Sequence, residues 1–251
     1  AEASRVRRTG NIKFDQPMPA VTGEAPTRAD LGLQETEQLF VAGSTHPGEE
    51  ETLVECYRAL VTRCPSAVLL LAPRHIERAE SVEAMVRANG LAVQRCSMMR
   101  QAGAVRSTGP RVLVLDSRGE LAAIYREAVV AFVGGTLVPI GGHNLLEPAQ
   151  WAKPVLFGPY TDHCAEIADL LIQAGGGRRV LHAEDLTRQV LALFSDDEER
   201  KRMGRSARQV VEQNQGALQR TLEAIDRLLT PPLGTSGSPL AERSRPLMVG
   251  R

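Results

Sequence analysis

The sequence predicts an α/β fold built on a doubly wound parallel sheet. From residue 38 onward, short apolar runs alternate with amphipathic segments of helical period, which is typical of parallel strands joined by crossover helices. Glycine and polar residues directly follow several of these runs, where open parallel sheets bind their ligands. The 251 residues are enough for one large domain or two small ones.

Seven strands are predicted, at 38–42, 67–72, 92–95, 111–115, 129–133, 154–157 and 178–181. Between them we predict helices near 48–63, 76–89, 119–127, 145–151, 162–174 and 184–195, with two more at about 197–214 and 216–229. We assign residues 1–16 to a connector between domains, 17–230 to the α/β domain and 231–251 to a flexible tail rich in Gly, Ser and Pro. The opening connector indicates the second half of a longer protein.

Composition and motifs exclude several classes of function. Lys and Arg number 30 against 30 Asp and Glu, and this zero net charge argues against a nucleic-acid partner. No apolar run approaches the roughly 18 residues of a membrane span. The four cysteines form no CxxC pair, which predicts reduced, buried thiols, and the adjacent His163 and Cys164 do not have metal-ligand spacing. The absence of a G-x-G-x-x-G or P-loop motif argues against a dehydrogenase or NTPase, so we expect neither metal nor cofactor.

The glycine-rich stretch 132–148, FVGGTLVPIGGHNLLEP, is the strongest candidate site. Its two glycine pairs permit close approach of the backbone to a ligand, and the helix start that follows suits an anion. Asn144 and Glu147 fit equally a capping box with no ligand. Gly142 and His143 favour a site, because a cap requires neither. Pro148 suggests that the helix begins a residue or two later.

The first strand leads into Ser44, Thr45 and His46. Small and hydroxyl side chains at this position can line an anion pocket at a helix N-terminus. The alternative is an ordinary helix start with Pro47 at its first position. We prefer that alternative for Glu49 and Glu50, since the helix dipole favours acidic residues in the first turn.

The second predicted strand ends in Pro73, Arg74 and His75. An Arg at a strand end suits a phosphate or a carboxylate, because its fixed charge is presented as a bidentate fork. A solvated surface Arg near a helix start is the alternative.

The fourth predicted strand is followed by Asp116-Ser117-Arg118-Gly119-Glu120. Gly119 permits close approach and Glu120 can hold a ribose hydroxyl, whereas a helix cap by Asp116 or Ser117 is the plain alternative. Each motif is weak alone. Four of them along one edge of one sheet indicate a ligand site.

The chain resembles the bacterial 3-deoxy-D-manno-octulosonic acid (Kdo) transferases from residue 9 to about residue 229. The segments that carry the resemblance are TGNIKFD (9–15), AGSTHPGEE (42–50), PRH (73–75), GEL (119–121), the glycine-rich stretch and PVLFGP (154–159). These enzymes are two-domain glycosyltransferases of the GT-B type. The resemblance implies a Rossmann-like C-terminal domain, the half that holds the donor CMP-Kdo.

The resemblance also implies roles for individual residues. The positions matching CMP contacts are Pro73, Arg74, Arg118, Gly119, Glu120, Asn144, Leu145, Leu146 and Glu147. Lys13 matches a residue thought to stabilise the transition state, and its ammonium group can offset charge on the leaving phosphate. We add Ser44, Thr45, His46, His75, Gly142 and His143 as a possible donor pocket.

For the intact protein, the resemblance implies inverting, metal-independent transfer of Kdo to a lipid A precursor in lipopolysaccharide core synthesis. The general base, the acceptor site and the membrane-attached segment would lie in an N-terminal half absent from this chain. The intact enzyme would work at the cytoplasmic side of the inner membrane, whereas this soluble fragment would bind the donor and catalyse nothing. The alternatives are the donor domain of a GT-B enzyme using a UDP- or ADP-sugar, or a catalytically silent nucleotide-binding module.

Overall fold

The computed structural model describes residues 6–17, 26–101 and 109–229, and seven parallel strands form its one sheet in the order β3-β4-β2-β1-β5-β6-β7. The strands are β1 (Gln38–Thr45), β2 (Ala67–Pro73), β3 (Ala92–Arg95), β4 (Arg111–Val114), β5 (Ala128–Val133), β6 (Val155–Phe157) and β7 (Gly177–Arg179). The helices are α1 (Glu49–Arg63), α2 (Ala79–Ala88), α3 (Cys96–Gln101), α4 (Leu121–Ile124), α5 (Leu146–Gln150), α6 (Ala165–Gln173), α7 (Ala183–Ser195), α8 (Asp197–Asn214) and α9 (Ala217–Leu229).

The order of the strands confirms the doubly wound topology. The chain builds outward from β1 to one edge of the sheet, then returns to pair β5 with the other side of β1. The winding therefore reverses between β1 and β5. At their carboxyl ends the Gly134 amide donates to the Gly43 carbonyl oxygen at 2.8 Å, which joins the two loops that leave this switch point. Ligands of open α/β sheets bind at such a reversal.

Helices cover both faces of the sheet. On one face, Phe40, Leu69 and Phe132 belong to a core shared with side chains of α1, α2 and α7. Alternate strand residues such as Leu39 and Leu70 enter a second cluster on the other face. All seven residues of β2 are buried, which explains why this strand appears in the sequence as a continuous apolar run.

The predicted elements are present, with several differences in their bounds. Strand β1 continues to Thr45, and β7 begins at Gly177. The predicted helix 76–89 is a 3₁₀ turn, Ile76–Arg78, followed by α2, and the predicted helix 119–127 is the short α4 followed by a 3₁₀ turn, Tyr125–Glu127.

Helix α3 was not predicted. It follows β3 without an intervening loop, and the Asp116 carboxylate accepts hydrogen bonds from the backbone N–H and the hydroxyl of Ser97 in its first turn. A side chain 19 residues away thus satisfies donors at this helix start, a contact that no local pattern reveals.

Residues 6–17 pack against the rest of the domain. Phe14 is buried in the core with side chains of α6 and α8, and the Asp15 carboxylate accepts from the backbone N–H groups of Gly216 and Leu218 where α9 begins. The division at residues 16 and 17 stays a prediction, and the predicted tail 231–251 lies outside the described residues. None of the described helices combines the length and apolarity needed to cross a bilayer.

The four cysteines are free thiols, of which Cys56, Cys96 and Cys164 are buried. Burial raises the pKa of the Cys56 thiol to about 12, which makes it unreactive near neutral pH. Cys64 is half-buried, so the prediction of burial was wrong for that side chain.

Candidate functional site at the sheet switch point

The loops that leave the carboxyl edge of the sheet carry four of the five histidines of the chain. His46, His75, His143 and His163 follow β1, β2, β5 and β6 respectively, and the fifth, His182, begins α7. Parallel strands end at one edge, so residues from four separate regions of the sequence meet there. Histidine residues clustered in this way can bind anions and exchange protons.

Glu49 is hydrogen-bonded to two of these loops. Its carboxylate is inaccessible to solvent and accepts four backbone hydrogen bonds, from His46 (3.0 Å), Gly135 (2.7 Å), Thr136 (3.0 Å) and Leu137 (2.9 Å). Burial raises the pKa of Glu49, and the four N–H donors oppose that rise. One buried side chain thus sets the path of the glycine-rich loop beside β1.

Glu49 and Glu50 lie in the first turn of α1 as predicted, but the sequence did not indicate their hydrogen-bond partners. The helix does begin here, but Gly48 is its N-cap with φ +91°, and Pro47 precedes it. The Glu50 side chain is also buried and accepts hydrogen bonds from Arg78. Both carboxylates bind specific partners within the fold.

Thr45 belongs to the same buried network. It has no accessible surface, and its hydroxyl donates to Glu50 Oε1 at 2.9 Å. Its carbonyl oxygen accepts from the backbone N–H of Arg74 at 2.9 Å. Thr45 therefore supports the site from beneath, and its side chain does not line a ligand pocket as we had expected.

The glycines in these loops are required by close packing. A Cβ on Gly134 would lie 2.5 Å from the Ser44 carbonyl oxygen, and one on Gly158 would lie 2.1 Å from that of Thr136. Both distances are shorter than any real carbon contact. Gly142 has φ +85° and donates its N–H to the Gly135 carbonyl oxygen at 2.8 Å.

Ser44 has a backbone conformation that is unusual for a residue with a side chain. Its φ is +55°, and it lies where the register of β1 against β2 shifts between Gly43 and Thr45. Strained residues of this kind concentrate at functional sites. The shift leaves Ser44 at the wall of the cavity beside β2.

The cavity beside β2 is the larger of two at this edge of the sheet and has a volume of about 450 Å³. Among the residues that line it are Ser44, Pro73, Arg74, His75, Arg118 and Gly119. Its walls are formed by the segments at the carboxyl ends of β1, β2 and β4, which the sequence predicted to lie at one edge of the sheet. The Arg74 and Arg118 side chains are both exposed at this edge.

The loop after β4 positions Glu120 at the start of α4. The Ser117 hydroxyl donates to Glu120 Oε2 at 2.7 Å, and Gly119 has φ +82°. The alternative in which Asp116 or Ser117 caps a following helix is not observed, since Glu120 occupies the N-cap position and makes no side-chain cap there. Asp116 instead binds the start of α3.

A smaller cavity of about 230 Å³ lies against the connector. Lys13, Gly142, His143, Asn144 and His163 are among the residues that line it. Lys13 Nζ donates to the His163 carbonyl oxygen at 3.4 Å, so the ammonium group is held at this wall. The structure thus places ten of the predicted site residues in two separate cavities, whereas Thr45, His46, Glu120, Leu145, Leu146 and Glu147 line neither.

The buried His46 lies close to one histidine of each cavity. Its ring lies 6.0 Å from that of His75, at the larger cavity, and its Nε2 lies 2.8 Å from Nε2 of His143, at the smaller one. Burial lowers the pKa of His143 to about 4, with further contributions from His46 and Arg74. Burial and then His75 also lower the pKa of His46. Both imidazoles are therefore neutral near pH 7, and one donates to the other.

Asn144 and Glu147 form a hydrogen-bonded pair at the start of α5. Asn144 Oδ1 accepts from the Leu146 backbone N–H at 3.1 Å, and its Nδ2 donates to Glu147 Oε1 at 3.2 Å. Helix α5 begins at Leu146 with Leu145 as its N-cap, one residue later than a cap at Asn144 would place it, which confirms the later start that Pro148 suggested. Burial raises the pKa of Glu147, whereas Asn144 and Arg74 lower it.

The side chains of Leu145 and Leu146 have no accessible surface and pack in the core with Phe14. Any contact between these two residues and a ligand must come from their backbone. They hold the start of α5 against the sheet and so fix the positions of Asn144 and Glu147.

Positive charge gathers at this edge even though the chain is neutral overall. Arg74 and Arg118 line the larger cavity with His75, and Lys13 lines the smaller one with His143 and His163. Such an edge suits an anionic ligand. A cavity of about 730 Å³ between α1 and α7 is larger, but none of the predicted site residues lines it. In the described part of the chain, no three His, Cys, Asp or Glu side chains group as metal ligands would.

The chain is similar over most of its length to known transferases. The 3-deoxy-D-manno-octulosonic acid transferase of Haemophilus influenzae is 36% identical over 219 residues, which are 86% of this chain and 50% of the relative. The enzyme of the same name from Aquifex aeolicus is 32% identical, with 79% of this chain and 51% of the relative aligned. The chain thus spans about half the length of these curated relatives. No protein-family model matches it.

Solved structures show the same fold. The C-terminal CMP-Kdo binding domain of WaaA from Acinetobacter baumannii superposes with a TM-score of 0.65 at 29% identity, over 70% of this chain and 90% of that domain. WaaG, a glycosyltransferase involved in lipopolysaccharide biosynthesis, has a TM-score of 0.56 at 17% identity, over 86% of this chain and 53% of WaaG, and supports the fold alone. The fold is the Rossmann-like domain of GT-B glycosyltransferases. By sequence and by fold, this chain belongs to the family of 3-deoxy-D-manno-octulosonic acid transferases.

Proposed function

We propose that this chain is the donor-binding domain of a glycosyltransferase that transfers Kdo from CMP-Kdo to a lipid A precursor. The observation that carries the proposal is the cationic edge of the sheet, where the positive charge of Arg74 helps to lower the pKa of the half-buried Glu147. A sugar nucleotide requires both features: positive charge for its phosphate and an acceptor for its sugar hydroxyls. The names of the relatives and of the Acinetobacter domain support this choice of donor.

In this proposal the CMP moiety occupies the larger cavity and the adjoining start of α5. The Arg74 guanidinium binds the phosphate, with Pro73, Arg118 and Gly119 forming the wall around it. Glu147 accepts from the ribose hydroxyls, and its hydrogen bond from Asn144 fixes the direction of the carboxylate. Glu120 is a second acceptor for the nucleoside, held by the Ser117 hydroxyl.

The Kdo moiety would extend toward the smaller cavity. Lys13 is held there by the His163 carbonyl oxygen, and its ammonium group offsets the charge that develops on the leaving phosphate or the charge of the sugar carboxylate. As an acceptor oxygen bonds to the anomeric carbon, the bond from that carbon to the phosphate oxygen breaks and CMP leaves with the electron pair. We propose an inverting reaction without a metal ion.

The general base, the acceptor site and the membrane attachment are proposed to lie in a further domain of the intact protein. The curated relatives are about twice as long as the aligned region, which supports a second domain of similar size. The base would take the proton of the acceptor hydroxyl. We propose that the intact enzyme works at the cytoplasmic side of the inner membrane and that this domain alone binds the donor without turnover.

Calorimetric titration of the 251-residue chain with CMP, UMP and ADP tests the proposal. We expect CMP to bind most tightly and Glu147→Ala to weaken it by about tenfold or more, since a lost hydrogen bond to a charged group costs roughly 1.5–3 kcal/mol. Glu184→Ala, at an exposed position on α7, is the matched control and should leave the affinity unchanged.

A preference for UMP or ADP would move the assignment to a GT-B enzyme with another donor. Binding of CMP that survives Glu147→Ala would show that the nucleotide lies elsewhere on the domain. If none of the three nucleotides binds, the domain is not an independent donor-binding unit and the proposal fails.

A further inference from the structure

Two imidazoles meet at the boundary between the two cavities in a way that limits the charge they can hold. His46 Nε2 and His143 Nε2 are 2.8 Å apart, and their ring planes are inclined by only 3°. One hydrogen occupies the space between these two nitrogens. Therefore one residue donates from Nε2 and the other accepts there, with its own hydrogen on Nδ1.

This pair can add one proton without losing its hydrogen bond. When both imidazoles are neutral, one ring nitrogen still has a free lone pair. That nitrogen is Nδ1 of the imidazole that donates from Nε2. A proton from solvent bonds to that nitrogen and converts the donor to an imidazolium, while its Nε2–H continues to point at the neutral partner. The pair then holds a single positive charge in a charge-assisted hydrogen bond.

The surroundings keep the pair neutral when no anion is present. His46 is faced by His75 and Arg74 from the loop after β2, by Arg78 from the 3₁₀ turn and by Glu50 from α1. His143 is faced by Arg74, His75 and His163, and Lys13 lines the same cavity. Apart from Glu50, which is ion-paired to Arg78, these groups are cationic or can become so. Burial acts in the same direction.

A bound anion reverses this balance. A phosphate monoester brings about 1.5 to 2 negative charges near pH 7, and an opposite charge within roughly 4–6 Å favours the protonated imidazole. The cationic neighbours then become partners of the anion and oppose protonation less strongly.

We propose that the His46–His143 pair is a one-proton receptor for the anionic part of the ligand, so that nucleotide binding at this edge is coupled to uptake of a proton by the pair. This inference rests on the proposed function and adds a positioning role: the pair supplies one additional positive charge only while the anion is present.

The test is calorimetric titration of the chain with CMP at about pH 7 in two buffers whose heats of ionisation differ strongly. The difference in heat gives the number of protons taken up per CMP bound. Since the phosphate of CMP can itself release a proton on binding, the wild-type chain is compared with His143→Gln and His46→Gln. His182→Asn, at the start of α7, is the control.

For each CMP bound, we expect the wild type and His182→Asn to bind as much as one proton more than His143→Gln or His46→Gln. In the wild type, the affinity should also fall by as much as about tenfold per pH unit as the pH rises from the pKa of the free pair toward that of the bound pair. The pair variants should show a flatter profile.

Tight CMP binding with equal proton uptake in the wild type and both pair variants would overturn the proposed coupling and leave the nucleotide site standing. Failure of the wild type to bind CMP, UMP or ADP would overturn the proposed function and this inference with it. Proton-coupled binding that persists in His46→Gln but not in His143→Gln would assign the proton to a single imidazole and reject the pair.

Discussion

Glu49 determines the shape of the site although no ligand can touch its buried carboxylate. It accepts hydrogen bonds from two loops. One directly precedes the glutamate, and the other lies 86 to 88 residues away along the chain. Without this acceptor, the amides of Gly135, Thr136 and Leu137 would be buried without partners. The glycine-rich loop is thus folded around a charge supplied by α1.

At the residue scale, Glu49→Gln should destabilise the chain. An amide side chain offers one acceptor oxygen and turns an N–H₂ group toward backbone donors, and each unsatisfied buried donor costs roughly 1–3 kcal/mol. We expect the free energy of unfolding to fall by at least about 2 kcal/mol, measured by urea denaturation.

Glu51→Gln is the matched control, because the same substitution in the same helical turn alters an exposed side chain that accepts one bond from Gly48. It should change the free energy of unfolding by about 0.5 kcal/mol or less. Equal losses in the two variants would contradict the role assigned to Glu49.

The sequence identified the site residues that follow strand ends but missed this one. Ser44, Arg74 and Gly119 could be found because polar residues after apolar runs lie at the ligand edge of a parallel sheet. Glu49 resembled an ordinary first-turn acid, since its partners are backbone amides distant in sequence. The contact between His46 and His143, 97 residues apart, was hidden for the same reason.

At the scale of elements, the strands were predicted well because most of them are short apolar runs, although β3 (AVQR) and β7 (GRR) are not. Predicted bounds failed where tertiary contacts decide them. Strand β1 continues past Ser44 because it still pairs with β2 at Thr45, and the start of α3 is satisfied by Asp116. Neither effect is encoded within a window of neighbouring residues.

Helix α9 depends on the connector for its start. The Asp15 carboxylate accepts from Leu218 and Gly216, and these bonds lower its pKa. A lowered pKa means that this contribution is present above the ordinary value of 3.8 and is lost as the pH falls through the folded-state value. We expect Asp15→Ala to increase amide hydrogen exchange in the first turn of α9 at neutral pH.

Asp226→Ala, at an exposed position of the same helix, should leave that exchange unchanged. In the wild type, the first turn should become less protected only in strong acid. Unaltered exchange in Asp15→Ala would show that α9 begins without help from the connector.

At the scale of the whole molecule, alternation of strands and helices predicted the fold class but not the spatial order of the strands. The reversal between β1 and β5 places the glycine-rich loop beside the loop after β1, and this neighbourhood creates the site. The resemblance to the transferase family implied a Rossmann-like domain, but neither it nor the periodicity specified which strands are neighbours.

The site also predicts how stability depends on pH. In the folded chain the pKa of His143 is about 4, against 6.5 ordinarily, so the unfolded chain binds more protons between these values. The free energy of unfolding should therefore fall as the pH is lowered from about 6.5 toward 4, with His46 acting in the same direction. Urea denaturation at several pH values measures this slope.

His143→Gln should reduce the slope in that interval, and His182→Asn should retain it. Carboxylates with lowered pKa values, such as Glu37 and Asp197, add a further loss at lower pH in every variant. A slope that is the same in wild type and His143→Gln would contradict the neutral state assigned to this imidazole.

The 3₁₀ turn Ile12–Asp15 joins three parts of the molecule through consecutive side chains. Lys13 lines the smaller cavity, Phe14 is buried in the core, and the Asp15 carboxylate accepts a hydrogen bond from the first turn of α9. The turn thus places one wall of the smaller cavity and the start of α9 on either side of a residue buried in the core. The Lys13 ammonium group, 3.4 Å from the His163 carbonyl oxygen, and the first turn of α9 are therefore anchored by the same four-residue turn.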